Sequence, residues 1–453
     1  MAKIYENSPL YLIGKKYVAW SFKQYFKEVI IIGRENIITN EAVIFAPNHL
    51  NALMDALAVL TLPPHDQVKV YLARADLFSL PPAIQKFLTF AKLMPAFRIR
   101  DGYENLGKNK ESFDLSTKVL LHERALCIMP EGNQGEERKI RPLVKGIFRI
   151  AFDAQMQMPA GKTVHIIPIG IEMNEWINPG GHLIMNIGKP IRVLDYMTAY
   201  AENPARAINS LKDSLQSELE KLIIHCGSEQ YYDIYDTLIQ LRTTDYLAAN
   251  HLTDNTLNRF YAAQHIAARL TEMEKTQPEA HRELAEKVRQ LNNLLADNPM
   301  AGHNISMAQW QNADSTSSPI LYHLRQTLLS ITALPGILLN ILPVKTIQAM
   351  PGLMGVKFRG FFSSVYYGTS IVLFPLFYTL QSILLLLLFN WSAWLFIPVV
   401  LVHYISGKIA FGCLKRRTEN KQEWMVEKQK GKAWYVEMKK LMGEIGDITK
   451  DYN

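Results

Sequence analysis

Apolar residues follow three patterns along this chain, and each predicts a different kind of structure. Between residues 29 and 191 they come in short runs rich in Val, Ile and Phe, parted by stretches of helical length. Strands are expected at 29–32, closed by Gly33, around Phe45, at 68–72, from Met94 towards Asp101, at 125–129, at 164–171, and as a final pair at 183–187 and 188–191. A linker and helix fill 78–93, and a helix fills 111–123. Such alternation predicts an α/β domain over 29–200, with a mostly parallel central sheet and flanking helices.

Over 201–300 the spacing becomes helical and dense in charge, as in LKDSLQSELEKLIIHC and HRELAEKVRQLNNLL, which predicts a helical insert of packed hairpins. Tyr231, Tyr232 and Tyr235 belong to its packing. Residues 301–330 read as a linker, and a membrane region is expected over 331–417. From Phe361 to Gly407 no Asp, Glu, Lys or Arg occurs, and these roughly 47 residues suffice for two spans of about 20 each. Asn390, among Phe389, Trp391 and Trp394, marks the break between them. Lys357 and Arg359 precede the stretch, and Lys408, Lys415, Arg416 and Arg417 follow it, which predicts a transmembrane helical hairpin with both ends cytosolic. The run LPGILLNILPV at 334–344 is too short to span and has prolines near both ends, so an interfacial or re-entrant segment is expected. Residues 418–453 predict a charged cytosolic tail. At the other end, 1–28 sets Tyr11, Leu12, Val18, Trp20, Phe22, Tyr25 and Phe26 among Lys15, Lys16, Lys23 and Lys27. That suits an interfacial amphipathic helix on anionic lipid, or one covering the domain's own core.

The candidate chemistry begins in AVIFAPNHLNALMDALAVL, residues 42–60. An apolar strand ends at Pro47, Asn48 and His49 follow, and Asp55 is expected about two turns into the next helix. Ligands of open α/β sheets sit where strands end and helices begin, so His49 is a candidate base and Asp55 its orienting carboxylate. A loop histidine by itself is more often only a polar surface residue. Further along, Arg98 and Arg100 alternate onto one strand face and can reach one anion. Pro130-Glu131-Gly132 closes the strand at 125–129, where Gly132 permits a tight turn and Glu131 can accept hydrogen bonds at the mouth of the site.

Taken together, Asn48-His49 with Asp55 and Pro130-Glu131-Gly132 resemble the first and third blocks of the phospholipid/glycerol acyltransferase superfamily. The likeness covers about residues 17–194. Five residues part His49 from Asp55 here, whereas most of the superfamily has four, and the longer form resembles the branch of yeast-type glycerol-3-phosphate acyltransferases. The resemblance implies that His49 takes the proton of an acceptor hydroxyl and that Asp55 fixes the imidazole. It implies that Arg98 and Arg100, in the second block, hold substrate phosphate, that Asn48, Glu131 and Gly132 belong to the acceptor site, and that Pro168 helps shape the acyl pocket. The Arg that often follows the Glu-Gly pair is replaced by Asn133-Gln134, leaving Arg138, Lys139, Arg141 and Lys145 as substitutes, with Arg138 and Lys145 grouped with the substrate-binding residues. The implied activity is a membrane-bound O-acyltransferase of glycerophospholipid synthesis, moving an acyl group from acyl-CoA or acyl carrier protein to glycerol 3-phosphate or 1-acylglycerol 3-phosphate. No cofactor and no metal are expected.

Composition narrows the alternatives. A net charge of +7 suits anionic membranes and phosphorylated substrates. No zinc-finger spacing or aromatic-basic signature supports nucleic acid as a partner. Cys127, Cys226 and Cys413 are odd in number and far apart, so a reducing cytosol is expected for the globular part, and residues 1–20 lack the pattern of a signal peptide. The same fold could serve as a catalytically silent membrane scaffold or lipid-transfer protein. A transporter is disfavoured by two spans without an internal charge.

Overall fold

The strand that leads to His49, β2 (Ala42–Pro47), is buried at every position, because parallel neighbours pair with it on both sides and helices cover both faces. In the computed structural model, which describes residues 4–97, 106–135, 137–298, 307–311 and 318–450, a helix α1 (Pro9–Tyr25) comes first and β1 (Glu28–Ile32) follows. After β2 come α2 (Ala52–Leu60), β3 (Lys69–Arg74), α3 (Pro82–Phe90), β4 (Leu93–Ala96), α4 (Leu106–Leu121), β5 (Ala125–Cys127) and α5 (Gly146–Gln157). The domain closes with β6 (Val164–Met173), β7 (His182–Ile187), β8 (Ile191–Arg192), α6 (Met197–Glu202) and α7 (Pro204–Leu222).

The sheet runs β1-β7-β6-β2-β5-β3-β4. Strands β6, β2, β5, β3 and β4 are mutually parallel, while β7 and β8 pair antiparallel to β6. The expected mostly parallel α/β sheet is therefore the observed one. Its centre reads as unbroken apolar sequence because both faces are covered, and β6 is buried over all ten residues.

By its contacts the chain divides into two compact units, Met1–His225 with Val356–Tyr367, and Cys226–Gly355 with Gly368–Asn453. In the first, α1 buries Tyr11, Lys15 and Phe22 and exposes Leu10, Ile13 and Trp20. One face thus covers the core and the other is open and apolar. Segment 356–367 returns to this unit: the Tyr367 hydroxyl donates to the Val18 carbonyl at 2.9 Å, and its ring meets Phe22 edge-on at 5.6 Å.

The second unit holds helices α8 (Tyr232–Ala249), α9 (Thr256–Thr276), α10 (Pro278–Ala296), α11 (Met307–Gln311), α12 (Pro319–Leu353), α13 (Phe362–Leu388) from Gly368 onward, α14 (Phe396–Glu427) and α15 (Ala433–Ile448). Tyr231 and Tyr235 are buried there. Among the described residues, three helices are long and apolar enough to cross a membrane: α12, the helix that includes α13, and the one that includes α14. Two expectations need correction. The run at 334–344 is neither short nor broken but lies within the 35 residues of α12, whose Pro335, Pro343 and Pro351 sit inside the helix. Proline removes a helical hydrogen bond, which argued for ends there, yet apolar helices tolerate it where packing re-satisfies the backbone. Residues 319–330, expected as linker, also belong to α12.

Candidate active site

The site lies at the carboxyl ends of three adjacent parallel strands, β6, β2 and β5, where open α/β sheets place their ligands. Beyond Pro47 the chain does not leave the sheet at once. The Asn48 side chain, 1% exposed, accepts from the Ile171 N–H at 2.6 Å and donates to the Ile171 carbonyl at 3.1 Å, extending the pairing of β2 with β6. Asn48 was expected at the substrate. In this structure its side-chain amide bonds Ile171, which fixes where His49 begins.

The His49 Nδ1 lies 2.9 Å from Asp55 Oδ2. A carboxylate only accepts, so this partner puts the ring proton on Nδ1 and leaves the lone pair on Nε2. The imidazole is partly exposed, at 16%, whereas Asp55 is fully buried. Asp55 stands in the first turn of α2, not two turns in. Ala52 sits in the left-handed region at φ +36°, which delays the helix and folds the loop back on itself. Near the amino end of α2 the helix dipole favours the negative charge. The Asn51 N–H adds a second hydrogen bond to Asp55 Oδ2 at 2.7 Å, and Asp55 Oδ1 has no partner among the described residues.

Glu131 ties the two sequence blocks together. Its Oε1 accepts the His49 N–H at 2.7 Å, and its Oε2 accepts the Arg141 N–H at 3.0 Å and Arg141 Nε at 2.8 Å. Arg141 also donates Nη2 to the His49 carbonyl at 3.0 Å and to the Asn133 carbonyl, and the Gly135 N–H reaches the same His49 carbonyl at 3.1 Å. Both backbone polar groups of His49 are therefore pinned. Gly132 takes φ +71°, and a side chain there would press on Val144 at 3.0 Å. Glu131 and Gly132, expected at the acceptor, serve first to build the loop.

Among the basic substitutes, Arg141 is the one that meets Glu131. Arg138 pairs with Glu172 at 2.8 Å, and Lys145 stands exposed just before α5. Arg98 and Arg100 lie outside the described residues. Sequence reasoning missed Asn51 as a partner of Asp55, although its place within the longer spacer was visible. It missed Ser363 entirely: the Ser363 hydroxyl donates to Asn51 Oδ1 at 2.7 Å from 312 positions away, with no local signal. Among the described residues no group of three His, Cys, Asp or Glu is placed to hold a metal.

Residues 28–172, which contain both blocks and the strands that carry them, match the model of the Acyltransferase family. This part of the chain is thus an acyltransferase domain. Among solved structures, the 1-acyl-sn-glycerophosphate (LPA) acyltransferase PlsC from Thermotoga maritima is similar at 17% identity and a TM-score of 0.33, over 47% of this chain and 79% of that one. No curated protein matches the sequence.

Proposed function

We propose that this protein is a membrane-bound O-acyltransferase of glycerophospholipid synthesis. It moves a fatty acyl group from a thioester, acyl-CoA or acyl carrier protein, to a hydroxyl of glycerol 3-phosphate or 1-acylglycerol 3-phosphate. The observation that carries the reading is the His49–Asp55 pair at 2.9 Å, with the imidazole partly exposed, inside a segment matching the acyltransferase family.

In this mechanism the acceptor hydroxyl oxygen attacks the thioester carbonyl carbon while His49 Nε2 takes the hydroxyl proton. Asp55 holds the ring and stabilises the imidazolium. The tetrahedral intermediate collapses, the carbon–sulfur bond breaks, and the imidazolium returns its proton to the departing thiolate. Ester and free thiol leave, and no acyl-enzyme forms. General-base assistance of this kind contributes about 100- to 10,000-fold. Arg98 and Arg100 hold the acceptor phosphate, a task suited to the planar guanidinium fork, with Lys145 as an exposed further cation. No metal or cofactor takes part in these steps. Helices α13 and α14 anchor the chain in the bilayer, and the positive flanks of 361–407 set the catalytic domain on the cytoplasmic face. The exposed Leu10, Ile13 and Trp20 suit contact with lipid.

The test is product identification by mass spectrometry. Purified protein in lipid nanodiscs is given palmitoyl-CoA or palmitoyl acyl carrier protein, with glycerol 3-phosphate or lysophosphatidate as acceptor. A new ester from one donor and acceptor pair supports the reading and names both substrates. No ester from any of the four combinations overturns it and favours the silent scaffold.

A further inference from the structure

We propose that Ser363, in the first turn of α13, is a positioning residue for the His49–Asp55 pair and acts through Asn51. This rests on the acyltransferase reading above and adds a residue that lies far outside the family match.

Asp55 Oδ2 accepts two hydrogen bonds, from His49 Nδ1 at 2.9 Å and from the Asn51 N–H at 2.7 Å. The direction of the carboxylate is therefore set by the Asn51 backbone as much as by the imidazole. That backbone is followed by Ala52 at φ +36°, a conformation an L residue keeps only when its surroundings hold it there. The Asn51 side chain, 3% exposed, supplies the hold. Its Nδ2 donates to the Trp176 carbonyl at 2.8 Å, and its Oδ1 accepts from the Ser363 hydroxyl at 2.7 Å.

Ser363 is itself fixed. It is 1% exposed, so no bulk water stands ready to replace its hydroxyl. The neighbouring Ser364 accepts the Leu53 N–H at 3.2 Å, a second tie to the same loop. One turn further on, the Tyr367 hydroxyl reaches the Val18 carbonyl at 2.9 Å and the Ser21 hydroxyl at 2.7 Å. The segment is thus moored to α1 and holds Asn51 from a rigid base. Replacing Ser363 by Ala strands a buried amide oxygen, which must turn to find another donor and takes the Asn51 N–H, and with it Asp55, out of line. A general base displaced by about 1 Å loses rate on the order of 100-fold.

The test compares full-length wild type, Ser363→Ala and Ser363→Thr in nanodiscs, by steady-state transfer and by amide hydrogen exchange of peptides covering residues 50–55. In Ser363→Ala, kcat falls about 10- to 100-fold while KM for donor and acceptor stays within about twofold. Threonine keeps the hydroxyl and restores most of the rate. Exchange over residues 50–55 rises about tenfold in the alanine variant, with β2 and β6 unchanged. Unchanged kcat with unchanged exchange overturns the proposal. So does equal loss in the alanine and threonine variants with faster exchange throughout the unit, which marks a residue needed only for folding. If wild type transfers no acyl group from any donor, the acyltransferase reading falls by itself, and the exchange result still decides whether Ser363 holds the loop.

Discussion

Two enclosed sets of polar side chains, one in each unit, are treated differently. In the first unit, His49 faces a fully buried carboxylate and keeps its ring partly exposed. In the apolar helices of the second unit, Asn340 donates to the Gly336 carbonyl at 2.9 Å and the His403 carbonyl at 3.2 Å, and accepts from the Tyr378 hydroxyl at 2.7 Å. His403, 1% exposed, turns Nδ1 to the Val399 carbonyl at 2.8 Å and encloses Nε2. One histidine has a carboxylate partner and a partly exposed ring, an arrangement suited to proton transfer. The other is bonded to a carbonyl among apolar helices, beside a glycine, Gly336, whose missing side chain lets α12 approach the Ser406 carbonyl of α14. Histidine in a chain is thus assigned by its partner and its access, and here the assignment separates chemistry from packing.

Asp55→Asn removes the carboxylate that fixes the tautomer, and kcat should fall about 1,000-fold or more in steady-state transfer assays. His403→Gln, tested beside it, should leave kcat within about twofold. A loss in His403→Gln as deep as that in Asp55→Asn would erase the distinction.

Next comes Arg141→Lys. Lysine keeps the charge but cannot place parallel donors on Glu131 and the His49 carbonyl, so kcat should fall about 10- to 100-fold, with circular dichroism unchanged. Full activity in this variant would mean that charge alone holds the loop.

Lys69 offers a further contrast, a buried lysine whose hydrogen bonds go to backbone carbonyls. It is fully buried, and burial pushes its ammonium from 10.5 down to about 7. Its Nζ donates to the Leu62 and Pro64 carbonyls at 2.7 and 3.2 Å, two acceptors that match the two protons of a neutral amine. Between pH 7 and 10 the unfolded chain holds a proton that the folded one has released, so raising the pH across that window should stabilise the first unit by a few kcal/mol. Below pH 7 both states are protonated and the slope ends. Lys69→Met should remove this share of the slope, read as thermal unfolding midpoints against pH.

The smallest effect lies in the second unit. Asn340→Leu should lower its unfolding free energy by about 1 kcal/mol in detergent titrations, a usual size for a hydrogen bond between apolar helices. Transfer rates should not change.

Much of this was legible in the sequence, and the failures share a cause. Strands β2 and β6 were visible because buried, doubly covered strands are apolar over most of their length. His49 and Asp55 could be paired because six positions of one loop separate them. The depth of Asp55 in its helix was misjudged because the left-handed turn at Ala52 carries no glycine to announce it. The bonds of Asn48 to Ile171 were not legible because an asparagine that continues a sheet with its side chain looks the same, in sequence, as one that waits for a ligand. The choice of Arg141 over Arg138 rests on which guanidinium reaches Glu131, a matter of geometry across ten residues. Ser363 joins the site across 312. The prolines of α12 misled because the rule that they end helices holds for helices in water and relaxes in apolar surroundings.

The most direct measurement is the rate of thiol release from palmitoyl-CoA, with acceptor present, by wild type and His49→Ala in nanodiscs. The account predicts acceptor-dependent release that falls by about 100- to 10,000-fold in the variant, with its unfolding midpoint unchanged. Release that persists undiminished in His49→Ala would contradict it.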